Sequence, residues 1–184
     1  IVRNAHEINQ GQMPTLEPVS DQPDSDCLWV NASQPAQALR AIQMLVRETI
    51  PQLGFEPLRD VQVLCPMIRG EVGTRSLNQT LQQLLNPPAA SKRELVRGGK
   101  ILREGDRVIQ QSNDYHREVF NGDVGTIDTI DLDNQEITVQ FADRWISYDY
   151  ADQNELELAW AVSIHKSQGS EYPVVILPVY MQHS

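Results

Sequence analysis

Between Ala159 and Leu177 the chain passes from an apolar stretch into a polar one and back. The polar string is His165–Lys166–Ser167–Gln168–Gly169–Ser170–Glu171. It offers an imidazole, an ammonium, two hydroxyls, an amide and a carboxylate, with one glycine on which the backbone can turn. Cations and hydroxyls suit phosphate oxygens, and a carboxylate accepts from a hydroxyl. The flanks are Ala159, Trp160, Ala161, Val162 and Ile164 on one side and Val174, Val175, Ile176 and Leu177 on the other. Such flanks set the string at the rim of a core, where a rigid frame presents groups to a ligand. The competing reading is a plain surface loop between a helix and a strand.

The elements that must position this string read as follows. Ile1, Ala5 and Ile8 have helical spacing, with Gly11 and Pro14 as stops, and His6 reads as a structural residue on that helix. Gln12–Asp26 is loop-like, and Cys27–Val30 is a short apolar strand. Ser33 offers an N-cap and Pro35 suits a first helical turn; Ala38, Ile42, Leu45, Val46 and Thr49 share one face until Pro51 and Gly54. Val61–Cys65 is a second apolar strand. A strand–helix–strand unit of about 30 residues predicts a parallel crossover. Ligands on parallel sheets bind beyond the carboxyl ends of the strands, which makes Pro66–Gly73, with Arg69, a further candidate loop. Thr74 can cap a helix whose apolar face is Leu77, Leu81, Leu84 and Leu85 and whose polar residues include Asn78, Gln79, Gln82 and Gln83. Pro87–Pro88 ends it, and Ala89–Gly99 reads as a polar, basic linker.

From Lys100 the pattern changes to short strands. Arg107–Gln111, Val124–Asp131, the alternating Ile137, Val139 and Phe141, and the alternating Ile146, Tyr148 and Tyr150 are separated by Asn121-Gly122-Asp123, Asp133-Asn134 and Ala142-Asp143 turns. This predicts a small antiparallel barrel set inside an α/β domain, because Val174–Leu177 resumes the buried-sheet pattern. The expected divisions are 1–98, 99–153 for the inserted barrel, and 154–184.

A chain of 184 residues that is 40% hydrophobic and 22% charged is globular, with one domain or one plus a small insertion. The net charge of −10 argues against bulk non-specific nucleic-acid binding. The charge is uneven. Ser91–Arg107 holds six basic and three acidic residues, whereas Asp123–Glu157 holds ten acidic residues, expected to face solvent, and only Arg144 as a base. No apolar run reaches the roughly 20 residues of a membrane span, and the start lacks a signal-peptide pattern. The absent initiator Met leads us to expect a piece of a longer protein. Cys27 and Cys65 lie in apolar runs, which predicts buried reduced thiols and a cytoplasmic setting.

Residues 159–173, Ala-Trp-Ala-Val-Ser-Ile-His-Lys-Ser-Gln-Gly-Ser-Glu-Tyr-Pro, closely resemble motif V of superfamily 1 helicases in its RecD-like form. Two further stretches share the resemblance: Cys65–Gly73 through Leu77–Pro87, and Gly105–Gln110 through Asn113–Tyr115 and Val119–Gly125. The resemblance covers nearly the whole chain. It implies a second RecA-like motor domain, of the P-loop NTPase type, with an inserted SH3-like barrel, in an ATP-dependent DNA helicase that moves 5′ to 3′ on single-stranded DNA.

For individual residues the resemblance implies Ser163, His165 and Lys166 on the DNA side and Gln168, Gly169 and Glu171 toward the nucleotide. Asn113, Tyr115 and Arg69 become further DNA-side candidates, with His116, Arg117 and Arg144 beside them; Tyr115 either stacks on bases or packs on the barrel. The implied partners are single-stranded DNA, ATP, and recombination or repair proteins. ATP and Mg²⁺ are implied for the whole protein, with neither expected to bind this chain tightly and no metal ligands expected in it. The sequence contains no G-x-x-x-x-G-K-[ST] phosphate loop and no acidic Mg²⁺-binding strand. The family's arginine-bearing segments are expected before Ile1 and after Ser184. By itself this chain is therefore expected to hold no catalytic residues and to be inactive as an ATPase. The alternatives are a non-catalytic DNA- or protein-binding module and a relaxase-linked or viral helicase of the same superfamily.

Overall fold

The computed structural model describes residues 1–20 and 24–179. The chain divides into two compact units, Ile1–Arg59 and Asp60–Ser184.

The first unit opens with α1 (Val2–Asn9). Its apolar positions Ile1, Val2 and Ile8 are exposed, and its one buried side chain is Asn4. The Asn4 amide donates to the Thr15 carbonyl (2.7 Å) and accepts from the Thr15 N–H (3.1 Å), which folds the following loop back on the helix. β1 (Glu17–Pro18) and β2 (Leu28–Trp29) pair in parallel. α2 (Pro35–Met44) begins after Gln34 rather than after a Ser33 cap. The Ser33 amide and hydroxyl instead both donate to the Gln37 side-chain oxygen at 2.9 Å. Ala38, Ile42, Val46 and Ile50 form the buried row. Pro51 has no N–H to give to the preceding turn, and the helix widens to a π turn over Leu45–Thr49 before α3 (Ile50–Gln52). α4 (Pro57–Asp60) leads to the junction.

The second unit is built on β3 (Val61–Cys65), α5 (Thr74–Leu85), β4 (Glu94–Arg97), β5 (Lys100–Arg103), β6 (Arg107–Gln110), β7 (Val124–Asp131), β8 (Glu136–Phe141), β9 (Arg144–Asp149), β10 (Leu156–Leu158), β11 (Ala161–Ser163) and β12 (Val174–Ile176). The parallel sheet has the order β11-β3-β12, so β3 pairs with two strands from the far end of the chain. The expected local crossover between Cys27–Val30 and Val61–Cys65 is thus not a strand pair: β2 pairs with β1. β12 is an edge strand, and Val175 on it is 47% exposed.

The antiparallel sheet has the order β10-β6-β7-β8-β9. Period-two alternation holds along it: Ile127, Ile137, Val139, Phe141 and Tyr148 point into one core with Leu102, Val108 and Leu156. Its end strands β9 and β10 do not pair with each other, so the pairing is that of an open sheet and not the closed barrel that was expected. The stretch 89–99, expected to be a linker, contains β4, which pairs with β5 across a two-residue Gly98–Gly99 turn. Alternation is masked in β4 because Leu95 is its only buried residue.

Candidate functional site

Ser163 pairs in register with Cys65, so the loops after β3 and β11 leave the same carboxyl edge of the parallel sheet. Two buried amides fix the approach to this edge. Asn78 on α5 donates to the Ala161 carbonyl and accepts from the Ala161 N–H, both at 2.8 Å, as a neighbouring strand would. The Gln62 amide, inside β3, donates to the Ala159 carbonyl at 3.2 Å. Neither role is legible in the sequence, where Asn78 reads as a solvent residue and Gln62 as an interruption of an apolar run.

The polar string then forms a 3-10 turn over Ile164–Ser167. Ser163 caps it, its hydroxyl accepting from the Lys166 N–H at 3.3 Å. Ser167 is buried, while His165, Lys166, Gln168, Gly169 and Glu171 are exposed. Gly169 takes φ +85° with open space where a Cβ would stand. The Lys166 ammonium donates to the Gln111 side chain of the antiparallel sheet. The side chains of His165 and Glu171 make no hydrogen bond or ion pair with the described residues.

The other loop at this edge folds tightly on itself. The Gly73 N–H donates to the Gly70 carbonyl and the Thr74 N–H to the Met67 carbonyl, at 3.1 and 3.2 Å. A Cβ on Gly73 would stand 2.6 Å from the backbone of Arg69 and Ile68, so only glycine fits. Gly73, not Thr74, is the N-cap of α5. The Arg69 guanidinium is exposed, without a partner among the described residues.

A cleft of about 1010 Å³ opens beside this edge. Ser163 and Lys166 line it; His165, Gln168, Gly169 and Glu171 do not. Across it lie Arg75, Gln79 and Gln83, spaced by four along α5 and exposed. The hairpin turn Arg97–Lys100 and Gln111, Asn154 and Glu157 complete the wall. Four cations, Arg75, Arg97, Lys100 and Lys166, thus face one carboxylate in a chain that is acidic as a whole. Lys100 is bound structurally: it donates to the Leu156 carbonyl, and burial holds its pKa below the ordinary lysine value against the pull of Glu157. Arg75 has no side-chain partner among the described residues. The sequence signal for this wall was the Arg75–Gln79–Gln83 spacing, hidden because the apolar face of the same helix drew the reading.

The loop candidates of the antiparallel sheet lie elsewhere. Asn113, Tyr115, His116, Arg117 and Arg144 do not line the cleft. Tyr115 is 75% exposed and meets Phe120 edge-on at 6.0 Å. The Asn113 side-chain oxygen accepts from the Asn121 N–H, and the His116 N–H donates to Asp114. Arg117 is a structural residue: it pairs with Asp114 and Asp152 and lies over the Tyr148 ring at 4.9 Å. Arg144 donates to the Glu118 carbonyl at 3.0 Å. The acidic run is therefore not wholly a solvated face, since Asp152 binds Arg117 and Glu157 meets Lys100. Among the described residues there is no group of three or more His, Cys, Asp or Glu side chains that could hold a metal ion. No helix among them is long and apolar enough to cross a membrane. Cys27 and Cys65 are both free thiols, the first half-buried and the second buried.

Two family models match the chain. One, described as the ATP-dependent RecD-like DNA helicase SH3 domain, covers residues 77–141; the other, the UvrD-like helicase C-terminal domain, covers residues 158–184. The second range contains β11, the polar loop and β12, which sets the class as a helicase-type sequence. Over 183 residues the chain is 31% identical to the ATP-dependent RecD2 DNA helicase of Deinococcus radiodurans, covering 100% of this chain and 23% of that protein. It is 21% identical over 119 residues to the RecBCD enzyme subunit RecD of Buchnera aphidicola subsp. Schizaphis graminum, covering 64% of this chain and 20% of that protein. Both family models and both relatives are helicases, and the RecD-like type recurs among them. The chain spans between a fifth and a quarter of the length of these two relatives. Among solved structures, Pif1 helicase from Bacteroides in complex with ADP-AlF3 and ssDNA is similar at a TM-score of 0.47 and 19% identity, over 78% of this chain and 43% of that chain.

Proposed function

We propose that this chain is the second RecA-like motor domain of an ATP-dependent DNA helicase, with an SH3-like sheet inserted over 99–153 between the flanks 1–98 and 154–184. The whole protein translocates 5′ to 3′ on single-stranded DNA in the cytoplasm, using ATP and Mg²⁺ and acting with recombination or repair proteins. One observation carries the reading. Ser163 and Lys166 line the cationic cleft, while Gln168, Gly169 and Glu171, a few residues on, lie outside it.

The chemistry follows from that division. Single-stranded DNA lies along the cleft, with backbone phosphates accepting from Lys166, Ser163, Arg75, Gln79 and Gln83. His165 and Arg69, exposed at the same sheet edge, add donors, and Asn113 and Tyr115 meet the strand beyond the cleft. Gln168 and Gly169 approach the nucleotide, and Glu171 accepts from its ribose hydroxyl. One short loop touching both ligands couples them, because a shift at one end changes the free energy of contacts at the other. The phosphate loop and the transition-state arginines come from outside this sequence, so the chain alone supplies binding and coupling without turnover.

In the full-length protein, His165→Ala should weaken DNA stimulation more than basal ATPase, and Glu171→Ala should raise the KM for ATP. If both variants keep wild-type DNA-stimulated turnover, the role assignment is wrong. Rapid DNA-stimulated hydrolysis by residues 1–184 alone would refute the division of labour.

A further inference from the structure

Arg107 opens β6 of the inserted sheet, yet its side chain leaves that sheet. The guanidinium donates to the Val61 carbonyl at the start of β3 (2.9 Å) and stands 5.8 Å from the centre of the Tyr172 ring. Its own carbonyl accepts from the Ala159 N–H at 2.8 Å. Among the described residues no carboxylate lies within ion-pair distance of it, so a half-buried cation is met only by a carbonyl and a ring face. Burial accordingly lowers its pKa, against a smaller opposing pull from Tyr172. Tyr172 directly follows Glu171. The loop before it is held at its other end by buried Ser167, whose carbonyl accepts from the Ser170 N–H at 3.0 Å. Gln168, Gly169, Ser170 and Glu171 are otherwise exposed.

We propose that Arg107 is a positioning residue: through Tyr172 it fixes the second end of the Gln168–Glu171 loop and links the inserted sheet to the nucleotide side of the site. A movement of the sheet, such as one imposed by a strand in the adjoining cleft, is then felt at Glu171 without any change in the DNA contacts themselves. The contact is a cation over an aromatic face, so it depends on the ring and the charge and not on the phenol oxygen. The inference rests on the assignment of Gln168–Glu171 to the nucleotide.

The test uses the full-length protein with Tyr172→Leu, which removes the ring, and Tyr172→Phe, which keeps it. Tyr172→Leu should raise the KM for ATP about five-fold with kcat within about two-fold, the range expected for a lost cation–π contact. Without nucleotide it should also speed amide hydrogen exchange at Gly169, Ser170 and Glu171. Tyr172→Phe should follow wild type in both readouts. Unchanged KM and exchange in a folded Tyr172→Leu protein overturns the proposal, as does Tyr172→Phe behaving like Tyr172→Leu. Should Tyr172→Leu not fold, Arg107→Met, which keeps the chain length and loses the cation, is expected to give the same two changes; wild-type values in it overturn the proposal. Glu171→Ala separates the two levels. If it leaves KM unchanged the nucleotide assignment fails, while the exchange rates still decide whether Arg107 and Tyr172 hold the loop.

Discussion

Two polar stretches of this chain carry similar side chains to opposite ends. Along α5 and its cap, Asn78, Gln82 and Asn86 recur every four residues, and all three are buried. Gln82 and Asn86 donate to the Asp106 carboxylate at 2.5 and 2.7 Å, and the Arg103 N–H adds a third bond at 2.7 Å. Arg103, itself 1% exposed, pairs with Glu94 and donates to the Asn86 carbonyl. In the Ser163–Glu171 loop the amide, imidazole and carboxylate reach solvent, and neither the His165 nor the Glu171 side chain has a partner among the described residues. A buried polar group must be bonded or it costs stability, so the first row is structure. An exposed group held on a fixed edge without a partner is available to a ligand, which is the ground on which the second is proposed as a binding loop.

The largest effect that could break this contrast is at Asp106. Asp106→Ala leaves two amide donors and a buried backbone N–H without their acceptor, and should cost about 3–5 kcal/mol in urea unfolding. A cost near zero would mean the row is not a satisfied network. Burial holds the Asp106 carboxyl above its ordinary 3.8, against the hydrogen bonds from Asn86 and Gln82. A carboxyl raised on folding binds its proton more tightly in the native state. Its contribution is therefore full below 3.8 and is lost as pH rises through the folded value. Compared with Asp106→Asn, the wild-type urea midpoint should fall as pH rises above 3.8 and through the raised folded value.

Gly73→Ala comes next. The added Cβ meets backbone at 2.6 Å, and backbone must shift to admit it. A loss of about 1–3 kcal/mol is expected, together with weaker binding of single-stranded DNA, because the Arg69 loop moves with it. Wild-type DNA affinity in this variant would detach that loop from the interface.

Lys166→Ala should leave the melting temperature nearly unchanged while weakening single-stranded DNA binding, and should reduce the slope of log K against log salt by about 0.7. Arg117→Ala should do the reverse. Its loss of the Asp114 and Asp152 pairs should cost about 1–2 kcal/mol, with DNA affinity and salt slope as in wild type. Equal salt slopes for the two variants would erase the distinction between cations paired with a carboxylate and cations without one. The smallest effect is at Cys65, whose thiol burial pushes up to about 12. In native protein at about pH 8, iodoacetamide should label Cys27 and spare Cys65 until the chain is unfolded.

Strands of both the antiparallel and the parallel sheet were legible in the sequence. Val124–Asp131 and Val61–Cys65 coincide with β7 and β3, because period-two alternation and short apolar runs bounded by turns are local signals. β4 does not stand out because Leu95 is its one buried residue and Arg97 closes it, so with Lys92 and Arg93 before it the stretch reads as a basic linker. The helix face of α5 was half right. Leu77 and Leu81 are buried as expected, but Leu84 and Leu85 are only half-buried while Asn78 and Gln82 take core positions.

The sequence by itself determined that a string of cationic, hydroxyl and carboxylate groups lies between two strands, since apolar flanks and a turn-forming glycine are written locally. Only the tertiary structure decided which polar residues are bonded within the chain and which stay exposed. Arg117 and Arg75 are both arginines on polar stretches, and nothing local separates them. Asp152, 35 residues away, joins the neighbouring Asp114 in neutralising the first, while the second is left facing the cleft. Partners distant in sequence set the charge balance and the exposure of a side chain, and those two quantities separate a structural ion pair from a binding group.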